Sequence, residues 1–248
     1  VLTAVSGSAL LLACSDDPDG TDATSSTTGD AGSDALPSDG AKPLGDAGNV
    51  ESGAIRGDRF ITKVVSFTPG DCAGFGAGEM PGIISGPPAG AGDEKGSLDV
   101  VSLGIGGELV VSFEPNAIVD GPGPDFIVFE NAFFAAGNPN APSADPGEVS
   151  VSEDGTTWKI YECMPGAAAP YGKCAGWHPV YSAPGNGISP IDPKTAGGEA
   201  YDLSELGITR ARFVRIRDKS TATCEGQPKP QNLGFDLDSI AVVNAEKP

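Results

Sequence analysis

Eight short runs of β-branched and aromatic residues, cut apart by Gly, Pro, Asn and Asp, constrain this chain more than any other feature. They are FITKVVSF (60–67), LDVVSLGI (98–105), GELVVSF (107–113), FIVFEN (126–131), EVSVSE (148–153), TWKIYE (157–162), ARFVRIRD (211–218) and FDLDSIAVVN (235–244). Such runs suit a pleated, half-buried surface, and their flanking residues suit turns. No segment carries a sustained helical stripe; the best helical turn is DLSEL (202–206), closed by Gly207. The expected fold is therefore all-β, a β-sandwich or jelly roll. Its connections at 68–96, 132–147 and 163–200 are long, as loops are when they are functional or stapled. Two hairpin turns are expected, at Asp154-Gly155 and at Gly106-Gly107.

The globular part occupies 55–248. Ahead of it, VLTAVSGSALLLAC (1–14) is too short and too rich in small residues for a membrane span. It reads as the tail of a secretory signal peptide, and Leu11-Leu12-Ala13-Cys14 matches the bacterial lipobox, with Cys14 as the lipidated residue. Residues 15–54 form an acidic tether. Within 15–49 there are eight Asp, one Lys and no aromatic residue, too little apolar surface to offset the entropy of ordering. This arrangement predicts an exported lipoprotein of the cell envelope, at the outer membrane or cell surface, touching the membrane only through its anchor.

Setting Cys14 aside leaves Cys72, Cys163, Cys174 and Cys224, an even number in an exported chain. That predicts two disulfides. Short spacing favours Cys163–Cys174, which leaves Cys72–Cys224 to clamp the start of the domain to its end. Zinc is disfavoured because no Cys-x-x-Cys pair is present. A formal charge of −19 excludes a nucleic-acid partner, which requires a basic footprint.

Three strings together resemble discoidin-like domains of the galactose-binding-like group. VSVSEDGTTWKIY is similar to their V-x-V-S-x-D-G-x-x-W hairpin, ARFVRIRD to a late A-R-Y-V-R-I strand, and GFDLDSIAVVN to their closing strand. The wider set, with SLGIGGELVVSF, DGPGPDFIVFEN, CAGWHPV and GEAYDLSELG, resembles bacterial exported cell-surface proteins over about residues 55–245. The resemblance implies a jelly roll that binds ligands through loops at one end. It says little about activity, because such folds host many functions.

The acids raise a separate question. In VRIRD, alternation puts Val214, Ile216 and Asp218 on one face. By the same parity Asp236 and Asp238 follow Ile240 and Val242, and Glu130 follows Phe126 and Val128. Carboxylates carried inward beside loops rich in free carbonyls suit calcium, which takes six to eight oxygen ligands. Glu130, Asp218, Asp236 and Asp238 are the expected ligands of a structural calcium, with Asp120, Asp125, Asn131 and Asp202 in reserve. Asp218 could instead pair with Arg212, Arg215 or Arg217, and Asp236 with turn amides. Asp120 and Asp125 open FIVFEN from a Gly/Pro turn and are expected to be solvated.

Catalysis finds little support. His178 is the single histidine, and no Gly-x-Ser-x-Gly elbow occurs. With 34 acids in the chain, a pair of carboxylates carries no information about hydrolysis. Asp154-Gly155 lacks the extra residue and the repeats of an Asp-box. Aromatic residues on long loops remain: Trp177, Tyr171 and Tyr181 on the disulfide-held loop, and Phe133 and Phe134 after FIVFEN. They either plug their loops or offer stacking platforms for sugar rings. The expectation is a non-enzymatic, surface-displayed module that binds glycan through Trp177, Tyr171 and Tyr181. The alternatives are an adhesive protein with a protein partner and, behind both, a hydrolase.

Overall fold

Alternation in the sequence becomes layering in the structure. The computed structural model describes residues 55–168, 171–225 and 233–248; Cys14 and the tether at 15–54 lie outside the described residues. Eight strands build the two main sheets: β1 (Lys63–Thr68), β2 (Glu108–Ser112), β3 (Phe126–Phe129), β4 (Gly147–Ser152), β5 (Lys159–Ile160), β6 (Glu199–Tyr201), β7 (Phe213–Asp218) and β8 (Ser239–Val242). One sheet runs β1-β2-β7-β4-β5 and the other β6-β3-β8, with antiparallel pairing throughout.

β7 shows how the register is set. Val214 lies opposite Val111 and Val151, and Ile216 opposite Leu109 and Val149, so three strands send their branched residues to the same side. There they meet Phe126, Val128, Tyr201, Ile240 and Val242 of the other sheet in one core. A slip of one residue would turn every one of these side chains to the opposite face. Arg215 stays on the outer face, where its Nε donates to Ser150 Oγ at 3.0 Å and its guanidinium lies 4.3 Å from the centre of the Trp158 ring.

The three-stranded sheet is covered on both faces. Ile127, Phe129 and Ala241 point away from the main core into a second cluster with Phe60, Val180 and Ala196. Thus the 163–200 connection folds back as a third layer. This explains the unbroken apolar run in FIVF, since a strand buried on both sides has no polar face to show. The outer edge strand β1 carries a bulge at Val65, between Val64 and Ser66, which blunts an open sheet edge.

Both disulfides form as the spacing suggests, Cys72–Cys224 and Cys163–Cys174. The Asp154-Gly155 turn joins β4 to β5 as expected. DLSEL becomes a 3₁₀ turn over Leu203–Leu206, capped by the Asp202 carboxylate accepting from Ser204 N–H and ended by Gly207 at φ 64°. Among the described residues no helix is long and apolar enough to cross a membrane.

Two expectations require correction. Gly106-Gly107 is not a hairpin turn: both neighbours of β2 are already β1 and β7. Val101–Ser102 pairs instead with Asp236–Leu237. The final run is also not one strand, because Asp238 interrupts it between Leu237 and Ser239.

The layering predicts a sharp contrast in stability. Ile216→Ala removes a fully buried side chain from the central strand and should cost about 3 kcal/mol in urea unfolding. Ile160→Ala, on an edge strand and 47% exposed, should change stability by less than about 0.5 kcal/mol.

Candidate functional site

β3 determines which acids go inside. Because both its faces are buried, the residues at its ends, Asp125 and Glu130, enter the interior with it, and they are 0% and 3% exposed. Asp125 is therefore not solvated, contrary to the expectation from its Gly/Pro turn. Its Oδ1 accepts from Gly121 N–H and Asn244 Nδ2, and its Oδ2 from Leu203 N–H. Asp120 and Asp202 stand close by, with one carboxylate oxygen from each of the three within 4.8 Å of the others. Asp125 already accepts three hydrogen bonds and Asp202 caps a turn, so these two carboxylates organise loops.

Glu130 is placed differently. Asp236, paired with Ser102 in the short ladder, donates its backbone N–H to Glu130 Oε1 at 3.2 Å. Glu130 Oε2 and Asp236 Oδ1 are buried and have no hydrogen-bond partner. Leaving such an oxygen unmatched costs about 1–3 kcal/mol or more when it is charged. The charge of Asp145, from the loop before β4, bears on both carboxyls. Burial, then the charges of Asp236, Asp145 and Glu199, push the Glu130 carboxyl well above its ordinary range. Burial raises Asp145 to about 6, with Asp218 adding to the effect. Asp236 goes up to about 7, again chiefly through burial, with the Ser102 and Asn131 side chains opposing and Asp145 and Asp218 adding. No Lys, Arg or His among the described residues forms an ion pair with Glu130, Asp145 or Asp236.

The other two expected ligands face protein donors. Asp218 takes Phe235 N–H on Oδ1, and Gly106 N–H and the Ser220 hydroxyl on Oδ2. Asp238 accepts Ala89 N–H on both oxygens at 3.0–3.1 Å, and burial raises it to about 7. The parity argument brought Glu130 and Asp236 together and carried Asp218 inward beside them. It also carried Asp238 inward, at 3% exposed, though to Ala89 N–H, and it could not see Asp145, which lies in a loop. Asn131 accepts from Ser97 N–H, which fastens the 87–97 loop over this end.

A cleft opens next to this cluster. Glu199 on β6, absent from the strands expected from sequence, accepts Gly176 N–H at 2.9 Å, Trp177 N–H at 3.0 Å and His178 N–H at 2.7 Å. Three donors on one carboxylate hold the CAGWHP turn rigidly. The resulting cleft, about 370 Å³, is lined by Lys173, Cys174, Trp177, His178, Pro193 and Tyr201, among others. Tyr171 meets the Trp177 ring edge-on at 6.3 Å, and the His178 ring lies 3.5 Å from the indole, tilted by 34°. Tyr181 stands apart, its hydroxyl donating to Asp93 Oδ1 at 2.7 Å. Phe133 and Phe134 are half-buried in a small ladder with Pro142–Ser143.

No family model and no curated protein matches the chain. Among solved structures, the C-terminal domain of a chitobiase from Bacteroides fragilis is similar at 12% identity, over 73% of this chain and 91% of that one, with a TM-score of 0.31. That likeness is too slight to carry a function across.

The raised carboxyls fix the sign of the pH dependence. In the folded protein Asp145, Asp236 and Asp238 hold protons up to about pH 6–7, whereas in the unfolded chain they release them near pH 4. The folded state thus binds more protons in that window, and its stability falls as pH rises through it. In chelator, the thermal midpoint should be higher at about pH 5 than at about pH 8, by a few degrees. A midpoint that falls steadily over the same acidification contradicts the burial of these groups.

Proposed function

We propose that this protein is an exported, surface-displayed binding module, anchored at Cys14, that takes a glycan in the Trp177 cleft. The observation that carries this reading is the triple acceptance by Glu199, which preorganises an aromatic turn at the mouth of a cleft of ligand size. A held indole offers a stacking face for the C–H side of a sugar ring at low entropic cost. The Lys173 amine, paired with Glu205 at 2.7 Å, and His178 supply polar groups at the rim. Glu199 has spent its oxygens on backbone N–H groups, which suits a positioning residue better than a general acid or base. The two disulfides fit an oxidising compartment.

A second reading, adhesion to a protein partner, draws on the same exposed loops. A glycan array followed by titration separates them. Trp177→Ala should weaken glycan binding by about tenfold or more, given roughly 1–1.5 kcal/mol for one aromatic stack. Tyr181→Ala, tied to Asp93 outside the cleft, should leave it unchanged. No binding across the array, with a protein partner recovered by crosslinking, favours the second reading and removes the first.

A further inference from the structure

Trp177 gives the cleft its stacking surface, yet part of that surface is already taken. The centres of the Trp177 and His178 rings are 3.5 Å apart, with their planes tilted by 34°. Aromatic side chains in contact ordinarily keep their centres about 4.5–7 Å apart. Two rings this close cannot lie side by side, so the imidazole lies over one face of the indole. A sugar ring that stacks on that face must first displace it.

Glu199 stands against the same imidazole. His178 Nδ1 is 3.4 Å from Glu199 Oε1, the oxygen that also accepts the Trp177 and His178 N–H groups. The Glu199 side chain is 7% exposed and that of His178 is 46% exposed. The ring therefore bridges a sheltered carboxylate and an indole while it can still exchange protons with solvent. The other ionisable side chains lining the cleft are engaged. Lys173 pairs with Glu205 at 2.7 Å, and the Tyr201 hydroxyl donates to the Lys173 carbonyl at 3.1 Å. Beneath the turn lies Asp145, its backbone carbonyl against Gly176.

We propose that His178 is a proton-operated cover on the Trp177 platform, closing it to glycan in acid and yielding it near neutrality. The inference rests on the reading of this cleft as a glycan site. A protonated imidazole gains twice in this position, from the Glu199 carboxylate and from the negative face of the indole. A neutral imidazole has neither gain, and a sugar ring takes its place at lower cost. Histidine is the side chain whose charge ordinarily changes between about pH 5 and 8. Linkage then fixes the sign: a bound proton holds the cover down, and a glycan that lifts the cover expels the proton.

The experiment follows tryptophan emission and glycan titration together in Trp158→Phe, which leaves Trp177 as the single tryptophan. Trp158 lies against Arg215 on the outer sheet face, away from the cleft. A protonated imidazole quenches an indole beneath it, so emission should fall by roughly half from about pH 8 to about pH 5. The glycan that scores highest on the array should bind about threefold more weakly at the lower pH. Adding His178→Gln keeps Glu199 and Asp145, and should give flat emission and equal affinity at both pH values. Emission that does not fall, or that falls equally with His178→Gln, overturns the cover whether or not any glycan binds. Falling emission with equal glycan affinity at the two pH values overturns the gating. Falling emission with no glycan bound by either protein at either pH sinks the reading of the cleft and the gating with it, while the contact between imidazole and indole stands.

Discussion

A strand buried on both faces delivers its end residues into the interior, and this protein is built around that consequence. β3 is covered by the five-stranded sheet on one side and by a folded-back loop layer on the other. Its ends are acids. Burying a carboxylate without a partner is among the costliest things a fold can do, so the surroundings of Asp125 and Glu130 are organised to meet that cost. At the Asp125 end, three donors converge from a turn, a 3₁₀ segment and the C-terminal Asn244. At the Glu130 end, the donors run out.

The same solution recurs wherever protein donors are available. Asp218 ties β7 to the turns at Gly106 and Phe235, Asp238 holds the 87–97 loop at Ala89, and Glu199 holds the aromatic turn. In each case a carboxylate at a strand end replaces the regular ladder that long loops lack. The acidity of the domain is thus partly architectural. Glu130 and Asp236 are the exception, each keeping one buried oxygen without a partner.

Much of this layout is legible from alternation. Val214, Ile216 and Asp218 face inward as their spacing demands, and Glu130 follows Val128 by the same rule. The cysteines also pair as their spacing suggests. Parity fails where the chain stops being a strand. Asp145 lies in a loop, where no periodicity applies, and Asp238, buried as parity asks, sits at a break in the ladder and turns to Ala89. β6 escaped notice because it has three residues and follows Gly197 and Gly198, both at positive φ, a pattern that reads as turn. Asp125 was hidden by its Gly/Pro neighbours, whose turn chemistry says nothing about the burial imposed by the strand behind them. The Gly106-Gly107 turn misled because local turn propensity does not reveal that β2 has its partners elsewhere.

The central claim is that β3, buried on both faces, carries Glu130 into the interior without a full set of donors. A site-resolved NMR titration of the Glu130 carboxyl carbon tests this most directly. The account predicts a titration well above the ordinary carboxylate range. An ordinary midpoint of about 4.3 would contradict it.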